Sequence, residues 1–398
     1  MTEWPDGFIW GTGASSTQCE GAAPASDWID WERAGRAPVS GDGNGFASRH
    51  SEDFALYAAA GLRHHRLSIE WARIEPAEGQ RDPAAVDHYR RVLSTARDLG
   101  IEPWLCLHHF TLPRWFSDQG GFTSAENRLG AWRRHVEFVA ETFGDRVAGW
   151  KPVNEPVIYA VAGWLGNGFP PGENDSAAFG GVLENILLAN FEAAAVLRQT
   201  GAPVASVFNL ATLHPVGDGA ESAVARFDQA FWGSWTGVLR EGVLRVPGRE
   251  PVECAALADV FDLVGFSYYC ALGVRSDGRL AAYPTDAPRS PLGYGIWAPG
   301  LRLVLDRLHA ELPGMPLLIS EFGLGTDDDA ERCAYLRAGL QIAREALADG
   351  VDLLGFFHWT GVDNYEWLHG YSVPFGLFDR ERRPRPSLDL LAEAIRGD

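Results

Sequence analysis

Short apolar runs recur along this chain, each followed by a longer stretch with helical spacing, and the alternation persists from one end to the other. The runs occupy residues 8–13, 64–71, 103–109, 147–150, 204–209, 262–269, 316–321 and 353–359. Most are apolar almost throughout, as parallel strands covered by helices must be; a half-exposed strand would alternate instead. Eight strand-helix units are the number that closes a parallel sheet on itself. The expected fold class is therefore α/β, a single (β/α)8 TIM barrel over residues 1–398.

Punctuation between the runs agrees with that reading. Phe54, Tyr57 and Ala58 share one helix face in the stretch 51–60, which Gly61 ends. Asp82 followed by Pro83 is a cap with proline at the first helical position, and that helix closes at Gly100; another runs over 128–143 and closes at Gly144. No linker rich in Ser, Pro or charge divides the chain. The looser stretches 34–45, 166–175 and 273–299 read as loops, which at the catalytic face of a barrel shape the pocket.

Composition excludes some partners. With 53 acidic and 34 basic residues the net charge is −19, the wrong sign for a phosphate backbone, so no nucleic acid is expected. No segment reads as apolar for long enough to span a bilayer, and Met1-Thr2-Glu3-Trp4-Pro5-Asp6 has neither a basic nor an apolar leader region; the expectation is a cytoplasmic protein without a membrane partner. Cys19, Cys106, Cys254, Cys270 and Cys333 lack metal or redox spacing and read as small buried residues in a reducing compartment. No metal or other cofactor is implied, and no feature sets an oligomeric state.

Barrel enzymes carry their working groups at the C-terminal ends of the strands. Here those ends offer Gln18 and Glu20 after the first run, Arg66 and Glu70 on the second, then His109, Asn154-Glu155, Asn209, Tyr269, Glu321 and Trp359. Glu155 follows Trp150-Lys151-Pro152-Val153 and precedes Pro156; proline cannot donate to a ladder, so the strand is expected to stop there. Glu155 and Glu321 end the fourth and seventh runs and so face each other across the mouth. Two carboxyls flanking one pocket are the minimum for glycoside hydrolysis, one giving a proton to the leaving oxygen and the other attacking the anomeric carbon or activating water. Arg66 and Tyr269 as neighbours of Glu321 would keep a nucleophile ionised, whereas Glu155 among aromatic residues suits a proton donor. The alternative is that each glutamate pairs with an arginine and merely ties the barrel together. Equally, His109, Trp359 and Trp367 could be core residues and Arg66 structural.

Phe8-Ile9-Trp10-Gly11, running on through Ala14-Ser15-Ser16-Thr17-Gln18-Cys19-Glu20-Gly21, resembles the N-terminal signature of glycoside hydrolase family 1, the β-glucosidase and β-galactosidase family. Arg66-Leu67-Ser68-Ile69-Glu70-Trp71-Ala72-Arg73-Ile74-Glu75-Pro76 is similar to its second-strand motif and Asn154-Glu155-Pro156 to its acid/base motif. Asp363-Asn364-Tyr365-Glu366-Trp367, with Gly370-Tyr371 and Phe375-Gly376-Leu377, resembles its C-terminal sugar-binding segment. The resemblance implies a small-molecule β-glycoside as substrate, Glu155 as acid/base and Glu321 as nucleophile of a retaining mechanism, with Arg66 and Tyr269 positioning the nucleophile. It further implies that Gln18, His109, Asn154, Glu366 and Trp367 hold the hydroxyls of the non-reducing sugar, with Trp359 beneath its ring and Phe375 close by. Tyr294 stands where the family places a tryptophan platform at the entrance, and Val157 and Phe110 replace larger aromatics on the leaving-group side. The segment Leu368-His369-Gly370-Tyr371-Ser372 lacks the pattern of phosphate-reading members. The expected activity is hydrolysis of terminal β-glucosyl, or galactosyl or fucosyl, residues. A retaining transglycosylase on the same residues and a non-catalytic sugar-binding barrel are the alternatives.

Overall fold

The protein is described by a computed structural model covering residues 3–166 and 168–397; Met1 and Thr2 of the N-terminal reading, and Asn167 of the 166–175 loop, lie outside the described residues. Every expected run forms a strand: β1 (Ile9–Gly13), β2 (His64–Ser68), β3 (Glu102–His108), β4 (Gly149–Val153), β5 (Phe208–Asn209), β6 (Val264–Tyr268), β7 (Leu317–Phe322) and β8 (Leu353–His358). They pair in parallel in the order β4-β3-β2-β1-β8-β7-β6-β5. Parallel bridges Trp150↔Val204 and Asn154↔Val207 then join β4 to the β5 segment and close the ring. Around it run α1 (Phe46–Ala59), α2 (Pro83–Asp98), α3 (Arg133–Phe143), α4 (Ser176–Leu197), α5 (Ser234–Glu241), α6 (Pro299–Glu311), α7 (Asp329–Ala348) and α8 (Pro386–Arg396).

Several boundaries differ from expectation, each for a local reason. β4 ends at Val153, just before Glu155-Pro156 as expected, but it carries a second proline, Pro152, inside it. Trp150 exchanges both of its backbone bonds with the β5 segment, from its N–H to Pro203 O and from Ala205 N–H to its carbonyl, each 2.9 Å. Residue 152 faces the same seam by the alternation of a parallel strand, and proline has no N–H to offer there. The Val153 N–H turns instead to Asn190 Oδ1 on α4, at 3.2 Å. The fifth run accordingly keeps only Phe208–Asn209 as strand, with isolated bridges at Val204, Ala205 and Val207. β2 stops at Ser68 because the Glu70 carboxylate accepts the Ala72 N–H and starts a turn of helix. α1 begins at Phe46 and not at 51, and the start of the 128–143 helix is a π-turn, Arg128–Trp132. The stretch 273–299 is not a plain loop: Leu280–Tyr283 pairs antiparallel with Ala271–Val274, which lies beside Leu213–Pro215.

Two readings of composition need correction. Residues Ser176–Thr200 are long and apolar enough to cross a membrane, although no such segment was expected. The apolar residues of α4 point into the fold, with Val182, Leu183, Ile186, Leu187 and Phe191 all fully buried. A helix that is apolar nearly all round belongs either in lipid or in a covered core, and this one is covered. All five cysteines are free, but only Cys19 and Cys106 are buried; Cys254, Cys270 and Cys333 are half-buried.

The barrel interior is layered. Trp104, Ala205, Leu263, Leu318 and Phe357 form an apolar plug inside the ring. Glycines on facing strands make room for its two large rings: a Cβ on Gly149 would lie 2.4 Å from the Trp104 ring, and one on Gly11 2.6 Å from Phe357. The second, larger core fills the space between the strands and the helices, where Leu105, Ile319 and Phe356 are fully buried. Each such side chain contributes roughly 1.5–3 kcal/mol. The plug fills one end of the barrel, and the polar strand-end side chains gather around a cavity at the other.

Adding a methyl group at the plug should be costly. Gly149→Ala is expected to destabilise by about 1–3 kcal/mol through overpacking, read as a lower denaturation midpoint, and combination with Trp104→Leu should recover part of the loss. A midpoint that stays at the wild-type value would show that the ring yields without cost.

Candidate active site

β2 delivers Arg66 into the lumen, where its guanidinium has no exposure to solvent. One terminal nitrogen donates to Glu321 Oε1; the other donates to Asn154 Oδ1 and, at 3.0 Å, to His109 Nδ1. Arginine can only donate, so His109 Nδ1 must accept and the imidazole carries its proton on Nε2. Burial, reinforced by the Arg66 charge, holds the His109 pKa well below the usual imidazole value and keeps the ring neutral. With Asn154 Oδ1 committed to Arg66, the amide NH2 is left for the cavity.

Glu321 lies on β7, and its second oxygen accepts from the Tyr269 hydroxyl at 2.6 Å. Burial, followed by the nearby carboxylates, pushes the Tyr269 phenol well above its usual pKa, so it stays a donor. The Tyr335 hydroxyl donates to the Tyr269 carbonyl at 2.9 Å and fixes that backbone. Both Glu321 oxygens thus face donors, one of them cationic.

Glu155 has a different setting. Its backbone is left-handed, φ 44° and ψ 60°, and Pro156 opens the helix Pro156–Trp164 directly after it. The amide of Asn209 donates to Glu155 Oε1 at 3.0 Å. Burial, and then the charge of Glu321, raise the Glu155 pKa to about 7 against the weaker opposing effect of Asn209. Of the four non-glycine residues with positive φ among those described, Phe110, Glu155 and Trp367 line this one cavity. Backbone strain of that kind persists only where surrounding structure enforces it, and it gathers at working sites.

The first and last parts of the chain complete the wall. Ser15 Oγ donates to Gln18 Oε1 at 2.8 Å, which turns the Gln18 amide NH2 toward the Tyr365 carbonyl and Glu366 Oε2, at 2.9 and 3.2 Å. Burial, and then the charges of Glu321 and Glu155, raise the Glu366 pKa to about 8. The rings of Trp359 and Trp367 each lie near-parallel to the His109 ring at 5.9 Å.

These groups surround a cavity of about 260 Å³ lined by Gln18, His109, Asn154, Glu155, Tyr269, Tyr294, Glu321, Trp359, Glu366, Trp367 and Phe375, all of them singled out from the sequence. Arg66 lies beneath it. Glu20 and Glu70, the other acids near strand ends, do not line it: Glu20 accepts from Tyr89 and meets His88, and Glu70 accepts from Ser16, Thr17 and Thr111. Val157 is 3 % exposed and packs in the core, so the expectation that it begins the leaving-group side is wrong by one residue. The 100° step of the helix turns Ile158 to the cavity instead. Sequence reasoning named Asn209 only as a strand end and missed its bond to Glu155. It also missed Phe169, Cys270 and Leu292 in the lining; Phe169 and Leu292 come from the loosely patterned stretches, where no periodicity marks which side chain points inward.

A barrel mouth that pairs two carboxyls in unlike surroundings and rings them with polar and aromatic side chains is an arrangement suited to glycoside hydrolysis. The model of glycosyl hydrolase family 1 matches residues 1–393, and the chain belongs to that family. Beta-glucosidase A of Thermotoga maritima is 29% identical over 416 residues, covering 95% of this chain and 93% of the relative. Thermostable beta-glucosidase B of Thermobispora bispora is 31% identical, over 92% of this chain and 84% of that one. The solved structure of a Thermotoga maritima beta-glucosidase in complex with cyclophellitol superposes with a TM-score of 0.91 at 26% identity, covering 100% of this chain and 99% of that chain.

The raised pKa of Glu366 makes stability depend on pH. In the folded state it holds its proton up to about pH 8, whereas its ordinary value is 4.5. Between those limits the folded protein binds more protons than the unfolded chain, so stability falls as pH rises through the window. Glu366→Gln should therefore lose less Tm than the wild type between pH 5 and pH 8. Asp27, raised to about 8 chiefly by burial, and Glu155 leave a residual slope. Identical slopes in wild type and variant would show that Glu366 ionises freely.

Proposed function

We propose that this chain is a retaining β-glycosidase acting on terminal, non-reducing β-D-glucosyl residues, with Glu321 as nucleophile, Glu155 as general acid and base, and the whole chain as one catalytic domain. The observation that carries the reading is the unlike setting of the two carboxyls: a guanidinium and a phenol on Glu321, one amide and a buried environment on Glu155. The similarity to relatives named β-glucosidases supports glucose as the glycone.

In the first step Glu155 gives its proton to the glycosidic oxygen while a Glu321 oxygen attacks the anomeric carbon. The carbon-oxygen bond to the leaving group breaks, the alcohol departs, and a glycosyl ester of Glu321 remains. Forming the ester removes the Glu321 charge. That charge is the second cause of the raised Glu155 pKa, so its loss lowers the pKa of Glu155 when it must turn from acid to base. Water then gives a proton to the Glu155 carboxylate and attacks the same carbon, and Glu321 leaves. Two inversions at one carbon retain the β configuration.

The remaining wall serves the sugar. His109 Nε2–H and the Asn154 NH2 are donors, the Glu366 carboxyl can meet two adjacent hydroxyls, and Gln18, whose NH2 is held by the Tyr365 carbonyl and Glu366, orients Glu366. Trp359 lies under the ring with Trp367, Phe375 and Tyr294 around it. A site whose buried polar groups await hydroxyls discriminates strongly against sugars that lack them.

Glu321→Gly is expected to abolish turnover of 4-nitrophenyl β-glucoside, with azide restoring cleavage and yielding the α-glycosyl azide; a β-azide would place the nucleophile elsewhere. Glu155→Ala with azide should give the β-product. The basic limb of kcat/KM should fall near pH 7, where Glu155 loses its proton in the free enzyme. Because the Asn209 bond lowers that pKa, Asn209→Ala should move the limb to higher pH, and a limb that does not move would assign the proton to another group.

A further inference from the structure

The chain contains a single lysine, Lys151, and every other cationic side chain is arginine. That lysine has no exposure to solvent. It extends from β4 into the barrel, where its amine lies 4.3 Å from the Phe357 ring centroid and 5.6 Å from that of Trp104. Among the described residues it pairs with no carboxylate. Its Nζ donates to Ser320 Oγ on β7 at 3.0 Å. Burial, with Arg66 nearby, holds the amine well below the usual lysine range. A buried amine that gains so little is costly, and a plug built for stability alone would carry an aliphatic residue there.

The position of the bond gives it meaning. Lys151 stands on the strand that leads to Glu155, and Ser320 immediately precedes Glu321. At Ser320 the register of β7 shifts: against β6 the pairing passes from Ile319↔Phe266 to Glu321↔Ser267, leaving Ser320 without a partner. Against β8 it also shifts, between Ile319 and Phe322. An extra residue of this kind bends a strand and re-aims the next side chain. Gly265 on β6 makes space for it, since a Cβ there would lie 2.5 Å from Ser320 Oγ and 2.2 Å from the Ser206 carbonyl. Guanidinium is planar, bulky and permanently charged, so arginine could not fill this role in the plug.

We infer that Lys151 is a positioning residue: a strut across the lumen that holds the bulge at Ser320 and so sets the aim of Glu321 relative to Glu155. The inference rests on the assignment of Glu321 as nucleophile. Lys151→Met keeps the volume and removes the donor; it should lower kcat by about 100-fold, the scale of a misplaced reacting group, with KM within about threefold and Tm no lower than wild type. Ser320→Ala, which removes only the acceptor oxygen and spares the fold, should give the same loss. The double variant should lose no more than either single one, because one interaction is removed in all three. Wild-type kcat in either single variant, or losses that multiply in the double variant, would overturn the strut. Failure of Glu321→Gly in the azide experiment would instead overturn the nucleophile assignment, and the inference with it. A spectroscopic check follows from the single lysine: protein labelled with 13C at lysine Cε gives one side-chain resonance. That signal is expected to shift when Glu321 is trapped as its ester by a 2-deoxy-2-fluoro-glucoside, and an unmoved signal would count against coupling between Lys151 and the nucleophile.

Discussion

A buried guanidinium organises this molecule. Arg66 is out of contact with water and meets acceptors from three other strand ends, His109, Asn154 and Glu321. Removing one partner from such a cation costs several kcal/mol because the charge is left uncompensated, so the three acceptors must converge within hydrogen-bonding reach. Only a closed ring places the ends of β3, β4 and β7 around the inward face of β2. The same contacts set the His109 tautomer, the orientation of the Asn154 amide and the geometry of Glu321. Closure of the barrel and preparation of the site are therefore one constraint.

Around that cation the cavity holds three carboxyl groups, and their unequal surroundings divide the labour. Glu321 takes the guanidinium. Burial first, and then the neighbouring acids, push Glu155 and Glu366 toward neutral pH or above, and their amide partners offset only part of the shift. Like charges in one small, poorly hydrated space cannot all ionise together, so the cavity retains a proton near neutral pH. The arrangement would have little effect in a solvated cleft. It works here because the apolar plug below and the aromatic walls beside it keep water from screening the charges.

The eight strands were legible because parallel strands sandwiched between helices and core must be apolar along most of their length. Boundaries were less legible where a side chain replaced a ladder bond, as Asn190 does for Val153 and Glu70 does for Ala72. The strand-end argument found Arg66, His109, Glu155, Tyr269 and Glu321 because a barrel maps strand ends onto one mouth. Glu20 and Glu70, also near strand ends, turn to hydroxyls and a histidine outside the cavity, and where the family resemblance pointed to Val157, helix rotation presents Ile158.

By itself, then, the amino-acid order determined the number of strand-helix units, the parallel barrel they build and the residue types gathered at its mouth. Those follow from local pattern, since burial and periodicity act on neighbours in the chain. The tertiary structure alone decided which acids share the cavity, which of them keeps a proton, which nitrogen of His109 is protonated, and that the only lysine reaches the residue before Glu321. Each of these depends on distances between residues far apart in sequence and on how completely water is excluded around them, and no local pattern encodes either.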